Sequence, residues 1–225
     1  MRIRLEFILV KKELELEYRK NIISFIKKSL SDIDEKYYNQ FYSNKNQKPY
    51  TWSTYINIDN INDKFYLRDN NLFVNFSVND AKLGYMFMNM FLNQRKQPFK
   101  IQNDNTMILL SVREIQEYQI NSNEIICKTL SPLVVIEQNE KYDYKSNYFL
   151  NFEDKDFADI FKEKTNCEII PIQCKKQIVK HYDIKFPVTT GIFQLKGNIK
   201  DLNKIYKSGA CDKHSQGFGM FEVLR

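Results

Sequence analysis

The spacing of apolar residues alternates along the chain between a period of two, typical of strands, and a period near 3.6, typical of helices. In the first half, the helix period covers about 14–30 and 80–91, and the strand period covers residues 2–10, 50–58, 72–78 and 107–115. The Asn-rich segment from Tyr37 to Tyr42 is predicted to be a connection, and Asp69–Asn71 to be a turn. The resulting order is β-α-β-β-α-β.

The second half repeats this order with shorter elements. Short helices are predicted near 157–161 and after Asp201, and strands at 125–136, 168–174, 177–186, 192–197 and 220–224. Pro132 must lie at an edge or a bulge of its strand. We therefore predict an α+β fold of two tandem ferredoxin-like, RRM-like domains, over residues 1–118 and 123–225.

Positive charge is concentrated in the last quarter of the chain. The 225 residues carry a net charge of +6, and residues 175–225 hold ten Lys or Arg against four Asp or Glu. The first 174 residues are therefore neutral. A basic segment on a neutral body favours a polyanionic partner, of which nucleic acid is the commonest. The alternative is a solvated lysine-rich surface.

Several protein classes are excluded by composition. No apolar run is long enough to cross a bilayer, and Met1–Arg4 lacks the pattern of a signal peptide, so we expect a cytoplasmic protein with no membrane partner. None of the four cysteines forms a C-x-x-C pair, and there are only two histidines. This spacing predicts no metal site and no other cofactor, and thiols that are free and buried or inert.

Three of the six glycines fall within the eleven residues Gly209–Gly219, between the last predicted helix and the last strand. Glycine permits positive φ, and successive N–H groups in such a loop can form a nest for an anion, with Lys213 adding a charge. The alternative is a tight helix-to-strand connection in which glycine only relieves steric crowding.

The ending Gly209-x-Cys211-x5-Gly217-Phe218-Gly219 resembles the C-terminal glycine-rich loop, G-x-G-x5-G-φ-G, of the RAMP superfamily. Two further segments, Lys48–Ser53 and Lys128–Val135, resemble the K-φ-φ-T-φ-S and T-L-S-P-φ-φ-V motifs of the CRISPR-associated protein six family. The resemblance implies tandem ferredoxin-like domains and an endoribonuclease that cuts precursor CRISPR RNA within its repeats, without a cofactor.

The chain departs from this family at two positions. Cys211 replaces the second glycine of the loop. Many family members have a histidine six residues before the lysine that begins K-φ-φ-T-φ-S, and here Tyr42 stands six residues before Lys48. A further family position on the first helix, often tyrosine, falls near Lys27. The resemblance therefore implies Tyr42, Lys48 and Lys27 as the catalytic residues.

The implied reaction is attack of a ribose 2′-hydroxyl on the adjacent phosphate, which gives a 2′,3′-cyclic phosphate and a 5′-hydroxyl. It requires a base, an acid and positive charge beside the phosphorane. Lysines can supply the charge, whereas a phenol, with an ordinary pKa of about 10, transfers protons less well near neutral pH than imidazole. The alternative for Tyr42 is simple packing between the first helix and the sheet.

RNA recognition is assigned to the second domain, by backbone charge and aromatic stacking. Phe193 and Phe218 are candidates for stacking on bases, and the alternative for both is a position in the core. His214 and His181 could contact RNA, or they could be an exposed loop residue and an ordinary strand residue. The predicted RNA-binding residues are Gly209, Lys213, His214, Ser215, Gln216, Gly217, Phe218, Gly219 and Lys196.

Four functional hypotheses remain open from the sequence. The first is the repeat-cleaving endoribonuclease, whose partner is CRISPR repeat RNA, with an RNA-guided effector complex or a second copy as further partners. The second is a repeat-binding protein of the same fold that has lost cleavage. The third is a non-catalytic RAMP subunit of an effector complex. The fourth is a generic pair of RNA-binding domains, against which the absence of the RRM aromatic motif argues.

Overall fold

The computed structural model describes residues 1–33, 35–42, 47–137 and 148–224, apart from the side chains at 35–37 and 40. The chain divides into two units. The first unit comprises Met1–Pro49 and Thr54–Gln116, and the second comprises Tyr50–Ser53 and Glu117–Arg225. The second unit is therefore discontinuous in sequence, because it includes four residues that lie within the N-terminal half.

The first unit is built on an antiparallel sheet. Its elements in chain order are β1 (Arg2–Leu9), β2 (Glu13–Glu15), α1 (Arg19–Ser31), α2 (Glu35–Tyr42), β3 (Tyr50–Ile61), β4 (Lys64–Val78), α3 (Ala81–Asn93), β5 (Pro98–Ile101) and β6 (Asn105–Ile115). The strand order is β2-β4-β1-β6-β5, and β3 also pairs with β4. Without the short β2 and β5, the order β3-β4-β1-β6 is that of a ferredoxin-like sheet.

Alternation in β1 decides which face of this sheet is buried. Ile3, Leu5, Phe7 and Leu9 are all at most 2% exposed. They meet the apolar sides of α1 and α3 through aromatic contacts, such as the edge-to-face pair of Phe7 and Phe25 at 5.1 Å. Burial of such side chains is the main stabilising contribution to a domain of this size.

The second unit repeats the topology of the first. Its elements are β7 (Glu124–Thr129), β8 (Val135–Glu137), β9 (Tyr148–Leu150), α4 (Phe157–Thr165), β10 (Glu168–His181), β11 (Ile184–Lys196), α5 (Ile199–Ser208), a 3₁₀ turn (His214–Gln216) and β12 (Phe221–Val223). The sheet order is β10-β11-β7-β12, and β8 pairs with β9 separately. The first and third core strands are central in both units, as they are in a ferredoxin-like fold.

Two apolar clusters stabilise the second unit. The larger one lies under α4 and α5 and includes Phe161, Phe193 and Leu202, all fully buried. The smaller one joins β8 to the long β10–β11 hairpin through Val134, Phe186, Val188 and Phe218. In the described part of the chain, no helix is long and apolar enough to cross a membrane.

The predicted α+β fold of tandem ferredoxin-like domains is confirmed; the domain limits 1–118 and 123–225 stay a prediction. Some elements differ from expectation. Residues 14 and 15, predicted as the start of a helix, belong to β2, because Leu14 pairs with Phe65 and is buried. The predicted connection at Tyr37–Tyr42 belongs to α2, whose Phe41 packs on Phe87 at 5.8 Å.

Two predicted boundaries in the sheets are also wrong. The turn predicted at Asp69–Asn71 does not occur, because β4 runs through it without interruption. Asp69 instead accepts a hydrogen bond from Asn57 at 2.9 Å, and Asn70 donates to the carbonyl of Leu9 at 2.6 Å. The strand predicted at 125–136 ends at Thr129 and resumes at Val135, since Pro132 lies in the break between β7 and β8.

Candidate functional site

The glycine loop, Gly209–Gly219, connects α5 to β12 and turns sharply several times. Positive φ occurs at Gly209 (95°), Gly217 (85°) and Gly219 (73°), and also at two residues with side chains, Cys211 (61°) and Lys213 (55°). The sequence motif has glycine at the position of Cys211, and the backbone here keeps the conformation that glycine adopts most easily. Burial raises the pKa of the Cys211 thiol well above its ordinary value, so this thiol is unreactive.

Much of the loop backbone is already hydrogen bonded within the protein. The N–H groups of Ala210, Asp212 and Gly219 donate to the carbonyls of Gly219, Val134 and Pro132 at 2.8–3.0 Å. Those of Gln216 and Gly217 donate within the loop itself. These five N–H groups are therefore not available for the anion-binding nest considered from the sequence, and any anion must be held by side chains or by the other N–H groups.

A four-residue segment of β3, Tyr50–Ser53, holds the loop in place; we call it the anchor segment. The Thr51 hydroxyl donates to the Phe218 carbonyl at 2.8 Å, and Trp52 Nε1 donates to the Ser215 carbonyl at 3.0 Å. His214 Nδ1 donates to the Tyr50 carbonyl at 2.8 Å. Each bond joins residues more than 160 positions apart in the sequence, so the K-φ-φ-T-φ-S motif is an anchor for the glycine motif.

The anchor segment also explains why the loop needs glycine. A Cβ atom at Gly217 would lie 2.5 Å from Cη2 of Trp52, and one at Gly209 would lie 2.8 Å from the Cβ of Thr51. At Gly219 it would lie 2.2 Å from the Ala210 carbonyl oxygen. All three distances are too short for real atoms, so close backbone approach, together with positive φ, requires glycine at these positions.

Two of the predicted RNA-binding side chains are buried. Phe218 is fully buried against Val134 and Phe186, so the prediction that its ring stacks on a base is wrong for this structure. His214 is 3% exposed and bonded to the anchor segment, which excludes the alternative of a solvent-facing loop histidine. Phe193, the other stacking candidate, is likewise a core residue.

The partly exposed side chains of the loop are those of Asp212, Lys213, Ser215 and Gln216. Lys213 Nζ lies 5.9 Å from the ring centroids of both Phe149 and Phe186, which stack on each other at 4.3 Å. Desolvation by these neighbours lowers the pKa of Lys213, and the nearby Asp212 carboxylate partly opposes the shift. The cation is thereby held in a fixed position and is only partly hydrated, which favours its interaction with an incoming anion.

Lys196 does not join this group. It is the last residue of β11, ten residues beyond Phe186, whose ring lies beneath Lys213, so the two lysines lie at different ends of this strand. Its ammonium lies 3.1 Å from the Glu124 carboxylate. The sequence placed Lys196 among the RNA-binding residues from charge alone, and charge carries no information on position along a strand.

In the first unit, the three predicted catalytic residues lie together; we call them the Lys–Tyr–Lys cluster. Lys27 on α1 places Nζ 4.9 Å from the ring centroid of Tyr42, the last residue of α2. Lys48, just before β3, places Nζ 5.5 Å from the same centroid. Lys28 instead contacts Asp32 at 2.7 Å on the surface. The structure thus brings together three residues from separate segments of the chain.

The electrostatics of the Lys–Tyr–Lys cluster favour an anion. Burial lowers the pKa of Lys48, and repulsion by Lys27 lowers it further. Two ammonium groups that share one aromatic ring repel each other, so a negative charge placed between them would relieve the repulsion. No group of three His, Cys, Asp or Glu residues that could hold a metal ion occurs among the described residues.

Comparison with known proteins identifies the second half of the chain. Residues 114–223 match the family described as CRISPR associated protein Cas6, C-terminal. The second half of the chain is thus similar to the C-terminal domain of Cas6 proteins. The resemblance inferred from the glycine loop and the T-L-S-P segment is therefore confirmed. No curated protein matches the chain in a sequence search.

Solved structures related to Cas6 share the whole fold. A Cas6-related protein from Pyrococcus furiosus superposes with a TM-score of 0.87 at 17% identity, over 100% of this chain and 98% of that one. A RAMP protein described as binding different RNA substrates gives 0.83 at 17% identity, over all of both chains. A Cas6 product complex gives 0.71 at 14% identity, over 99% of each. These likenesses establish the fold of the full chain.

The anchoring role of Thr51 and Trp52 was not predicted from the sequence, although both lie within the K-φ-φ-T-φ-S motif. The available signal was the tryptophan itself, the only one in the chain, within a motif that accompanies the glycine loop. Phe149, which lies beneath Lys213, gave no signal, because it is one of 17 phenylalanines and belongs to a three-residue strand.

Proposed function

We propose that the protein binds the repeat RNA of a CRISPR locus and cleaves it by attack of a ribose 2′-hydroxyl on the adjacent phosphate. Three facts support this function: the Cas6 C-terminal domain, a fold shared with a RAMP protein described as binding RNA, and a fold shared with a Cas6 product complex. The observation that carries the proposal is the Lys–Tyr–Lys cluster, in which two cations flank one phenol.

The reaction itself needs little from the protein beyond position and charge. As the 2′-oxygen attacks, its proton passes to water, the non-bridging oxygens of the phosphorane carry additional negative charge, and the departing 5′-oxygen takes up a proton from water. Lys48 and Lys27 lie where they can stabilise that charge, and the pKa of Lys48 is already lowered. The phenol of Tyr42 can donate a hydrogen bond to the phosphate or to the departing 5′-oxygen. The products are a 2′,3′-cyclic phosphate and a 5′-hydroxyl.

We assign recognition to the second unit. The glycine loop presents Lys213, Ser215 and Gln216 at its surface, while its buried residues are bonded to the anchor segment. A loop that is already rigid loses little conformational entropy when RNA binds, so more of the interaction energy appears as affinity. Gly209, Gly217 and Gly219 contribute by allowing the backbone path of the loop. Lys196 lies on β11, outside the loop.

The test is incubation of the full chain with repeat RNA in EDTA, followed by analysis of the product ends. We expect cleavage that persists in EDTA and gives 2′,3′-cyclic phosphate ends, and no cleavage of RNA that carries a 2′-deoxyribose at the cut site. Lys48→Ala should reduce the rate, and Lys28→Ala is the matched control, because Lys28 on α1 pairs with Asp32 and not with the cluster. Cleavage that requires Mg²⁺, or that ignores the 2′-deoxy substitution, would overturn the mechanism.

A second candidate function is repeat binding without cleavage, as a carrier of RNA or a subunit of an effector complex. It is favoured by one observation, the tyrosine at position 42 where many family members have histidine. Tight binding of repeat RNA, with no product after long incubation, would identify this function. Slow cleavage that disappears in Tyr42→Phe would identify the first.

A further inference from the structure

The tip of the β10–β11 hairpin breaks two local rules of β structure. The strands pair in register up to His181 and Ile184, so the turn contains only Tyr182 and Asp183. Both residues have positive φ, 50° and 63°, as in a type I′ turn. Such turns favour Asn-Gly, and positive φ is unfavourable for a bulky aromatic residue. Tyrosine therefore costs stability at this position.

The second broken rule is a pair of like charges. Lys180 and Lys185 lie directly opposite each other, in the second residue pair from the turn. Like charges at opposed positions destabilise a hairpin, and Asp183, 3.2 Å from Lys180, offsets only part of this repulsion. Two locally destabilising features within six residues indicate that the hairpin tip has a role other than stabilising the fold.

The chemistry of the tip indicates what it binds. The Tyr182 side chain is 48% exposed, and its ring rests edge-to-face on His181 at 4.5 Å. His181 is buried, contacts the Phe218 ring at 5.6 Å, and is hydrogen bonded to the Gln216 side chain at 3.0 Å. An exposed aromatic ring thus rests on His181, which is hydrogen bonded to the glycine loop, and Lys180 and Lys185 occupy neighbouring positions in the same hairpin.

We infer that the hairpin tip is a stacking site for one unpaired RNA base, with Tyr182 on the base and Lys185 on a neighbouring phosphate. This inference rests on the proposed function and adds a base-contacting residue to it. Aromatic side chains beside cations are the usual means of holding single-stranded nucleic acid. This site fits RNA better than a protein partner, because two neighbouring lysines bind best to closely spaced negative charges such as the phosphates of a nucleic acid.

The inference predicts that substitutions which stabilise the hairpin weaken RNA binding. Tyr182→Asn removes the ring and places at this turn a residue that accepts positive φ. Lys185→Glu gives Lys180 an oppositely charged partner across the strands. We expect both variants to unfold at a higher temperature than the wild type and to bind RNA about tenfold more weakly, which is typical for loss of one stacked base. Tyr182→Phe should bind like the wild type.

The experiment uses the full chain and repeat RNA that carries 2-aminopurine at one unpaired position at a time. With the wild type and Tyr182→Phe, one position should lose fluorescence on binding as the probe stacks, and with Tyr182→Asn it should not. Tyr85→Ala, at a tyrosine 60% exposed on α3 in the first unit, is the control for loss of a surface ring. Unchanged affinity and unchanged quenching in Tyr182→Asn would overturn the inference.

Failure of this inference can be separated from failure of the proposed function by including Lys213→Glu. If the wild type binds repeat RNA and Lys213→Glu weakens binding while Tyr182→Asn does not, RNA is bound at the glycine loop and the hairpin tip has no part in it. If the wild type binds repeat RNA no better than an unrelated RNA of equal length, the proposed function itself fails. Loss of affinity in Tyr182→Asn and Lys185→Glu as well as in Lys213→Glu supports the tip.

Discussion

The glycine loop and the Lys–Tyr–Lys cluster are built in opposite ways. The loop is fixed by buried hydrogen bonds from Thr51, Trp52 and His214 and by glycines that admit no side chain. The cluster consists of two long lysine side chains around one half-buried phenol. The loop is therefore preformed for binding, whereas the cluster holds mutually repelling charges whose arrangement improves only when an anion arrives.

This difference predicts where each kind of substitution acts. Changes in the loop should disturb folding and affinity together, because the same contacts serve both. Changes in the Lys–Tyr–Lys cluster should alter cleavage with little effect on folding, and removal of a charge there should even stabilise the protein. The following substitutions test this contrast in order of decreasing effect.

Tyr42→His should produce the largest change. Imidazole titrates near neutral pH and can act as base or acid, and such catalysis is typically worth ~10²–10⁴-fold in rate. We expect faster single-turnover cleavage of repeat RNA, with affinity unchanged since binding rests on the second unit. Tyr42→Phe is the matched variant and should lower any residual cleavage. A wild type as fast as Tyr42→His would mean that Tyr42 is not the limiting group.

Gly217→Val should break the loop. A Cβ at this position would lie 2.5 Å from the Trp52 ring, and φ is +85°. Overpacking together with strained backbone should lower the free energy of unfolding by about 2–4 kcal/mol. Trp52 is the only tryptophan in the chain, so its fluorescence during urea unfolding reports directly on the anchor. Ser215→Ala, which keeps the carbonyl that Trp52 uses, is the control and should unfold like the wild type.

Lys213→Glu should weaken repeat binding by about 1–3 kcal/mol, the value of one charge-assisted contact, and should reduce the dependence of affinity on salt. The control is Lys196→Glu, the same charge reversal at the far end of β11. Fluorescence anisotropy with labelled repeat RNA at several salt concentrations measures both. Equal losses in the two variants would show that RNA responds to total charge and not to the loop.

Lys48→Met should give the smallest and most diagnostic effect. Burial and Lys27 lower the pKa of Lys48 in the folded protein, so the folded state binds its proton less tightly than the unfolded state, where the ordinary value is 10.5. Removal of the charge should raise the free energy of unfolding at pH 7 slightly, while cleavage falls.

The pH dependence provides the check on Lys48. Because the unfolded state holds more protons, wild-type stability should gain from this group as pH rises from the lowered pKa towards 10.5, and Lys48→Met should lose that gain. Denaturant midpoints measured across this range decide the matter. A variant less stable than the wild type at pH 7 would mean that Lys48 is a structural residue.

The sequence predicted well those elements that bury one face. The alternation of apolar and polar residues in β1 directly identifies the face that is buried. The order of strands and helices in both units also follows from the spacing of apolar residues. The α2 helix was missed even though Tyr38, Phe41 and Tyr42 have helical spacing, because polar residues around them favoured a loop. The run Asp69–Asn71 carried a turn signal that side-chain hydrogen bonds across the sheet overrode.

The candidate site was only partly predictable, for a different reason. The family motif located Lys48 and Tyr42. In the structure the ammonium groups of Lys27 and Lys48 both lie near the Tyr42 ring. The burial of His214 and Phe218 depends on partners such as Tyr50 and Thr51, which lie more than 160 residues away in the sequence. Local pattern carries no such information, so the sequence identified the glycine loop without showing which of its side chains face solvent.

The anchor segment has a consequence for how this protein can be divided. The Cas6 match spans 114–223, and a fragment cut at that boundary would contain every residue of the glycine motif. It would lack Tyr50–Ser53, and with them the indole beneath Gly217 and the hydroxyl that holds Phe218. The matched segment looks in sequence like a separable module, but it is incomplete without four residues that lie well upstream of its first residue.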